Sequence, residues 1–277
     1  VNLVGAHAGE PAANSEDPTG VDIDGRGDES VLTGTITVAV SGVSIDGVKF
    51  DADKPIDWDL EALSPGATLD DFTLQNSVMT TYGEDGVPTL APEGVNAADY
   101  AGPSLADNWT ISGNLIGGVT EGNAGTMYLA GLSNSDITDN VFIRPTAGHL
   151  YLSSLTNTNV EGNFFYHGVH AGGVDLDGNG DFFQGIEAYG YGYGTNENAS
   201  TEQHDSFLGR NFWIELKGEN NGVTIDGNDG QYNSGGIQLF GEGGTEVFED
   251  ITISNNTFRD FINADPGGML TDGSGFL

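Results

Sequence analysis

A run of oxygen-bearing side chains is the first candidate for chemistry in this 277-residue sequence. Its members alternate with small or apolar residues and are Asp175, Asp177, Asn179 and Asp181. They match positions 1, 3, 5 and 7 of a calcium loop, with glycine at position 6. The twelfth position is Ile186 and not a bidentate glutamate, so the segment is not an EF-hand. The pattern predicts a calcium site of another geometry; the alternative is an acidic turn in water.

A second acidic segment repeats this spacing less completely. It contains Asp22, Asp24 and Asp28, with Ile23 between the first two and Gly25, Arg26 and Gly27 before the third. Carboxylate oxygens are the ligands that calcium prefers. We therefore take this segment as a second metal candidate, again with a solvated acidic turn as the alternative.

The charge of the chain is its most unusual bulk property. Forty-two acidic residues and seven basic ones give a formal net charge of −35. Such a surface repels nucleic-acid phosphates and anionic lipid headgroups, and it needs cations to screen its own repulsion. The composition therefore excludes nucleic-acid binding and predicts a halophilic or marine setting, or a calcium-rich extracellular fluid. No apolar run approaches the ~20 residues that span a bilayer, so membrane insertion is not expected.

Short strand-like segments place a row of polar and aromatic residues that could contact a ligand. Side chains alternate along a strand, so the middle residue of each segment should point outward. The predicted row consists of Thr37, Tyr128, Tyr151, Asp175, Glu215 and Gln238, with His149, Asp177 and Lys217 beside it. Aromatic rings can stack on sugars, and suitably spaced carboxylates can hydrolyse glycosidic bonds. The alternative is an exposed sheet face with ordinary surface residues.

The elements that carry this row recur with a fixed period. Ile137 to Val160 is 23 residues, and Val160 to Phe183 is 23 again. Short alternating apolar segments joined by Gly, Asn, Asp and Ser at such a period are typical of a solenoid of stacked β-coils. Three successive coils are predicted between residues 125 and 188, the third at 174–188.

One polar position recurs in most of the predicted coils. The pattern apolar-x-(Gly/Asn/Asp)-Asn-x-apolar gives the column Asn114, Asn140, Asn163, Asn228 and Asn256. Asparagine tolerates the left-handed backbone conformation of a sharp bend, and stacked amides can bond each other into a ladder. We expect interruptions where Val48, Ser77 and Ile186 replace Asn.

With this repeat, residues 30–260 resemble the pectate-lyase-like parallel β-helix superfamily. The resemblance implies a right-handed coil and, in related lyases, hydrolases and epimerases, a polysaccharide groove on the outward face. It is a resemblance of repeat pattern: no motif around the basic residues matches the proton-abstracting site of pectate lyases, and the alginate-epimerase signature is absent. A shared fold does not by itself confer an activity.

The sequence thus predicts an all-β fold, a single-stranded right-handed parallel β-helix of nine or ten rungs. We expect one domain over 1–277, a fragment of a longer chain, with loop excursions at about 51–66, 82–107 and 189–206.

For function we predict a structural or adhesive module of an extracellular or cell-surface assembly, such as a surface layer, filament or matrix. Ca²⁺ would stabilise it, and its partners would be further copies or other surface proteins. The alternative is a polysaccharide-acting enzyme that uses Asp175, Asp177, Glu215 and His149.

Overall fold

The computed structural model describes residues 1–12, 28–80, 82, 84–97, 100–117, 125–143, 149–166, 214–231, 236–239 and 247–259. Within these ranges the chain is all-β, with 27 short strands and two single-turn 3-10 helices, Leu60–Ala62 and Glu84–Gly86. No helix there is long and apolar enough to cross a membrane.

Two eight-stranded parallel sheets run the length of the described structure. Sheet 1 consists, in spatial order, of β1 (Asn2–Val4), β4 (Ser44–Asp46), β7 (Thr73–Gln75), β11 (Thr110–Ser112), β15 (Asp136–Thr138), β18 (Asn159–Glu161), β22 (Thr224–Asp226) and β26 (Thr252–Ser254). Sheet 2 consists of β2 (Ser30–Leu32), β5 (Val48–Phe50), β8 (Val78–Thr80), β12 (Leu115–Gly117), β16 (Val141–Ile143), β19 (Phe164–Tyr166), β23 (Asp229–Gln231) and β27 (Thr257–Arg259).

The remaining strands form a third long sheet and three strand pairs. Sheet 3 contains β9 (Thr89–Leu90), β13 (Met127–Ala130), β17 (Leu150–Ser153), β20 (Ile214–Lys217) and β24 (Ile237–Leu239). The pairs are β3 (Ile36–Val38) with β6 (Ile56–Trp58), β10 (Ala106–Asp107) with β14 (Leu132–Ser133), and β21 (Glu219–Asn221) with β25 (Val247–Glu249). Strands β6, β9 and β10 lie within the segments 51–66 and 82–107 that the sequence predicts as excursions.

The chain visits the sheets in the same order again and again. From the fourth circuit onward it runs from sheet 3 to sheet 1 and then to sheet 2, and each strand pairs with its equivalent in the next circuit. We call one such circuit a pass. The described residues form eight passes, and the arrangement is consistent with a parallel β-helix.

The third coil predicted from the 23-residue period, at 174–188, lies outside the described residues. Tyr151 in β17 is the register partner of Glu215 in β20, and Val160 in β18 is that of Ile225 in β22. Among the described strands, the pass at 150–166 therefore stacks directly on the pass at 214–231.

A thin apolar core runs along the axis of the stack. The central residue of each sheet 1 strand points into it, as in Leu74, Ile111, Ile137 and Val160, all fully buried. Across the core, the rings of Phe142 and Phe165 from successive sheet 2 strands stack with centroids 5.1 Å apart. Burying one such side chain contributes roughly 1.5–3 kcal/mol. The repeat thus buries an apolar row against its own neighbours in every pass.

The five column asparagines form a continuous hydrogen-bonded ladder. Asn114 Nδ2 donates to Asn140 Oδ1 at 2.9 Å, and Asn140 Nδ2 donates to Asn163 Oδ1 at 3.0 Å. Asn163 Nδ2 donates to Asn228 Oδ1 at 3.0 Å, and Asn228 Nδ2 donates to Asn256 Oδ1 at 2.8 Å. Because the Asn163–Asn228 bond is direct, Ile186 does not interrupt the ladder.

Each ladder amide also completes the hydrogen bonding of the buried backbone. Asn140 Nδ2 donates a second bond to the carbonyl of Ile111, 2.8 Å away, in the preceding pass. Its Oδ1 accepts the backbone N–H of Asn114 at 3.1 Å. One side chain thus joins three passes and satisfies groups that could not reach water.

At the N-terminal side the ladder does not stop at Ser77 as predicted but changes chemistry. The Ser77 backbone N–H donates to Asn114 Oδ1 at 2.9 Å, and Ser77 Oγ accepts the N–H of Val48 at 3.3 Å. The hydroxyl replaces the amide as an acceptor for one more pass. Val48 has an apolar side chain and ends the column.

The left-handed bends are placed differently from the prediction. The ladder asparagines do not have positive φ; the residue before each one does, for example Gly113, Asp139 and Gly162. A second left-handed residue lies five positions earlier, so that left-handed residues flank both ends of every sheet 1 strand except β1. The bracketing pairs are 42 and 47, 71 and 76, 108 and 113, 134 and 139, 157 and 162, 222 and 227, and 250 and 255. All fourteen are Gly, Asn or Asp, the residues that tolerate this conformation at least cost.

Replacing one ladder residue tests how much the column contributes. Asn140→Ala leaves the Ile111 carbonyl and the Asn114 N–H without partners in a fully buried site. A buried group left unsatisfied costs about 1–3 kcal/mol, so we expect the unfolding free energy to fall by at least ~2 kcal/mol in urea titrations.

The matched control is Asn159→Ala, which removes a single exposed bond from Asn159 Nδ2 to Asp136 Oδ1. We expect this change to stay within ~0.5 kcal/mol, as for other surface substitutions. Equal losses for the two variants would contradict the role assigned to the ladder.

Candidate functional site

Sheet 3 brings most of the predicted outward row together. In-register pairing places Tyr128 beside Tyr151, Tyr151 beside Glu215, and Glu215 beside Gln238. The four residues therefore form one line across four passes. Asp175 and Asp177, which the sequence placed between Tyr151 and Glu215, do not interrupt this line and lie outside the described residues.

The two tyrosines of this line use their ring faces on each other. Their centroids are 4.5 Å apart and their planes are inclined by 19°. A sugar that stacks on an aromatic side chain needs an open ring face. Stacking along the axis closes the two faces that meet between the rings to a ligand, so this pair stabilises two neighbouring passes.

The Tyr128 hydroxyl is tied to the segment that enters its strand. It accepts the backbone N–H of Gly125 at 2.8 Å. Close by, Tyr82 is buried and donates its hydroxyl to the carbonyl of Thr126 at 2.7 Å. Burial first, and the proximity of Tyr128 second, raise the pKa of the Tyr82 phenol far above its ordinary range. This hydroxyl therefore remains a neutral hydrogen-bond donor.

Glu215 is the one described carboxylate among the predicted catalytic residues. It is only 6 % exposed, and its Oε1 lies 3.8 Å from Nζ of Lys217, two positions along the same strand face. A buried carboxylate needs such a partner to offset its lost hydration. The pair balances charge on the outer side of sheet 3, and the buried carboxylate is not presented to solvent.

His149 does not join the outward row as predicted. It is 0 % exposed, and its ring packs edge-on against Phe165 with centroids 5.7 Å apart. Phe165 belongs to the central core. His149 directly precedes strand β17, and at this boundary the side chain turns toward the interior of the stack. The strict alternation that holds within a strand does not hold there.

The predicted metal sites are largely outside the described structure. Asp175, Asp177, Asn179 and Asp181 all lie there, as do Asp22 and Asp24, whereas Asp28 is described and exposed. Over the described ranges, no group of three or more His, Asp or Glu side chains is arranged to hold a metal ion. The calcium sites therefore stay predictions.

An acid pair that sequence reasoning missed lies beside the first 3-10 helix. Asp59 caps this helix by accepting the N–H groups of Glu61 and Ala62, each at 3.1 Å. A hydrogen bond to Glu93, followed by the negative charge of that carboxylate, raises the pKa of the exposed Glu61 above its ordinary value. Residues 61 and 93 are 32 positions apart, so only the folded chain reveals that they lie close enough to share a proton.

Asp107 lies in the opposite kind of environment. Its Oδ1 accepts hydrogen bonds from Asn134 Nδ2 at 2.6 Å and Ser133 Oγ at 2.7 Å. These two donors, in that order, lower the pKa of Asp107. The donors come from the next pass, so the ionised carboxylate acts as another link between passes.

The loop between β9 and β10 is fastened to the outside of three passes. Ser153 Oγ donates to the carbonyl of Ala97 at 2.5 Å, and Ser154 Oγ donates to that of Tyr100 at 2.8 Å. Gly218 lies against the same loop, since a Cβ there would come within 2.7 Å of the Tyr100 carbonyl oxygen. The paired serines and the glycine were the only sequence signal for this docking.

Comparison with known proteins adds no family to this geometry, because no family model, curated protein or solved structure matches the chain.

The Glu61–Glu93 pair gives a pH-dependent prediction. Because the folded pKa of Glu61 is raised above 4.5, the folded chain holds this proton where the unfolded chain has lost it. The stabilisation is complete below the unfolded pKa and is lost as pH rises through the folded one. We expect Glu93→Gln to lower the Glu61 pKa in a carboxyl-detected NMR titration.

The matched control is Glu219→Gln, which removes an exposed acid from β21. The Glu61 titration should not change in this variant. A Glu61 midpoint that is the same with and without Glu93 would rule out the shared proton.

Proposed function

We propose that the chain is a right-handed, single-stranded parallel β-helix of the pectate-lyase-like kind that serves as a structural or adhesive module of an extracellular or cell-surface assembly. Eight in-register passes and the asparagine ladder support this architecture. The right-handed coil and the likeness to pectate lyases rest on the repeat pattern of the sequence.

The structural role is supported by one observation: the described candidate residues contact other parts of the stack. Tyr128 and Tyr151 stack on each other, Glu215 is buried beside Lys217, and His149 packs on the core. An active site instead needs accessible groups in a cleft, with pKa values suited to proton transfer. Here the side chains with chemical potential connect one pass to the next.

The two ends of the stack supply surfaces for association. Large exposed hydrophobic residues cluster in the first and last passes, with Val4 and Val31 at one end and Leu239 and Val247 at the other. Terminal strands of a sheet are templates for pairing with another chain. Parallel passes make the two ends different, so contacts between copies would be head-to-tail and would extend into a filament.

Cations belong to this proposal because of the charge. Copies that each carry −35 repel one another unless counterions screen or bridge them. Ca²⁺, through the predicted aspartate segments, and high salt are the two sources of screening. We therefore place the assembled form outside the cell, where either is abundant.

Sedimentation measurements test the assembly. We expect the protein to form polymers with Ca²⁺ or in about 1 M salt, where the Debye length is ~3 Å, and the calcium-dependent polymers to dissolve in chelator. Val31→Lys with Val247→Lys should abolish assembly, because each places a charge on an apolar end.

The matched control is Val95→Lys, at an exposed valine in the loop between β9 and β10. This variant should assemble like the parent chain. A parent chain that is monomeric under every calcium and salt condition would refute the assembly role.

The second candidate is a polysaccharide-acting lyase, epimerase or hydrolase. It is favoured by the single line of Tyr128, Tyr151, Glu215 and Gln238 on sheet 3. Product release from uronate polysaccharides in calcium would support it, provided that Glu215→Gln or Asp175→Asn abolishes turnover. Such a result would replace the structural role.

A further inference from the structure

The outer faces of the three long sheets differ in how much of them is exposed to solvent. On sheet 2 the side chains of Val78, Leu115, Val141 and Phe164 are buried and form a cluster apart from the central core. On sheet 3 the outward Glu215 is buried as well. On sheet 1 no outward residue of any of the eight strands is buried. Among the described faces, sheet 1 alone is open along its whole length.

The open face carries two straight rows of side chains that are polar at every position except Val4. One row is Asn2, Ser44, Thr73, Thr110, Asp136, Asn159, Thr224 and Thr252, and the other is Val4, Asp46, Gln75, Ser112, Thr138, Glu161, Asp226 and Ser254. Half of these sixteen positions bear hydroxyl groups, and none is Lys, Arg or aromatic. We call these two rows the polar face.

The bends on either side keep the polar face regular, and its border near β4 is lined by the segment after β1, where the Gly9 N–H donates to Asp46 Oδ1 at 3.2 Å. Each strand from β4 to β26 has one left-handed residue two positions before it and another directly after it. The spacing is the same in all seven passes, so no insertion leaves the chain at either edge of those strands. In-register parallel strands lie about 4.8 Å apart, so the rows repeat at that interval.

Hydrogen bonds between passes hold parts of the polar face in fixed positions. Gln75 Nε2 donates to Ser112 Oγ at 3.1 Å, and Asn159 Nδ2 donates to Asp136 Oδ1 at 2.8 Å. Side chains that are ordered before binding lose little conformational entropy on contact with a ligand. The face is therefore organised in advance for another flat, regular surface.

Charge narrows the choice of partner. Asp46, Asp136, Glu161 and Asp226 lie on the polar face with no basic residue among its rows, which opposes anionic polymers and a second copy of the same face. Hydroxyl and amide groups both donate and accept hydrogen bonds. Their natural complement is a surface of hydroxyl groups without charge.

We propose that the polar face binds a neutral, hydroxyl-rich polysaccharide in an extended, ordered form. This inference rests on the adhesive role proposed above and names its partner. Each hydrogen bond contributes only about 0.5–1.5 kcal/mol, but many identical contacts along one rigid face act together. The site is separate from the sheet 3 line considered for catalysis.

The test is binding to insoluble microcrystalline cellulose and chitin, with calcium alginate beads as the anionic comparison, in about 1 M NaCl, where charge attraction is screened. We expect retention on at least one neutral matrix and none on alginate. Thr110→Lys with Thr138→Lys raises two long charged side chains from the middle of the polar face. It should weaken retention at least about tenfold, equivalent to ~1.4 kcal/mol.

The matched control is Ser64→Lys with Ala67→Lys, at two exposed loop positions away from the polar face. It should bind like the parent chain, and both double variants should keep the parent circular dichroism and unfolding midpoint. If the polar-face variant is unfolded, Ser112→Arg alone replaces it. Retention only on alginate, no retention on either neutral matrix, or equal retention by both variants would overturn the proposal. Sedimentation reports separately on assembly, so either proposal can fail alone.

Discussion

The structure depends on bending a buried chain at both ends of the seven sheet 1 strands that follow β1 without leaving a buried polar group unpaired. Two left-handed residues set the bends, and the ladder amide that follows the second bend bonds the backbone of the pass before it. A bend without that amide would leave a carbonyl such as that of Ile111 buried with no partner. This local solution, repeated through the stack, keeps the strands in register and so positions everything outside the core.

The same logic explains which functional candidates survive. Tyr128 and Tyr151 align because the passes are in register, and for the same reason their rings meet face to face. Glu215 and Lys217 neutralise each other on a covered face. On sheet 3, the two aromatic rings therefore contact each other between passes, and the two charged groups pair with each other within one pass. Sheet 1, with short polar side chains and no cover, is left as the face where a partner can approach.

The asparagine ladder and most of the outward row could be predicted from the sequence, because their residues recur at fixed positions in each pass. The asparagine column was visible since its flanking pattern is local, and Tyr128 with Tyr151 followed from alternation. The direct pairing of the pass at 150–166 with the pass at 214–231 was not visible in the sequence, because alternation and spacing do not reveal which strands are neighbours. His149 was misplaced because alternation fails at a strand boundary. Pairs of Gly, Asn or Asp five residues apart were present in the sequence, but only the backbone angles show that both members have the left-handed conformation.

The most direct test of the central claim asks which residue lies beside Glu161. The structure pairs it with Asp226, whereas the 23-residue period would place Gln184 there. Register partners lie about 4.8 Å apart, within the ~4.4–6.8 Å range of Cα separations in disulfides, and the chain has no cysteine of its own. Under mild oxidation, the double variant Glu161→Cys, Asp226→Cys should form an intramolecular disulfide detectable by peptide mass mapping, and Glu161→Cys, Gln184→Cys should not. The reverse outcome would contradict the stacking described here.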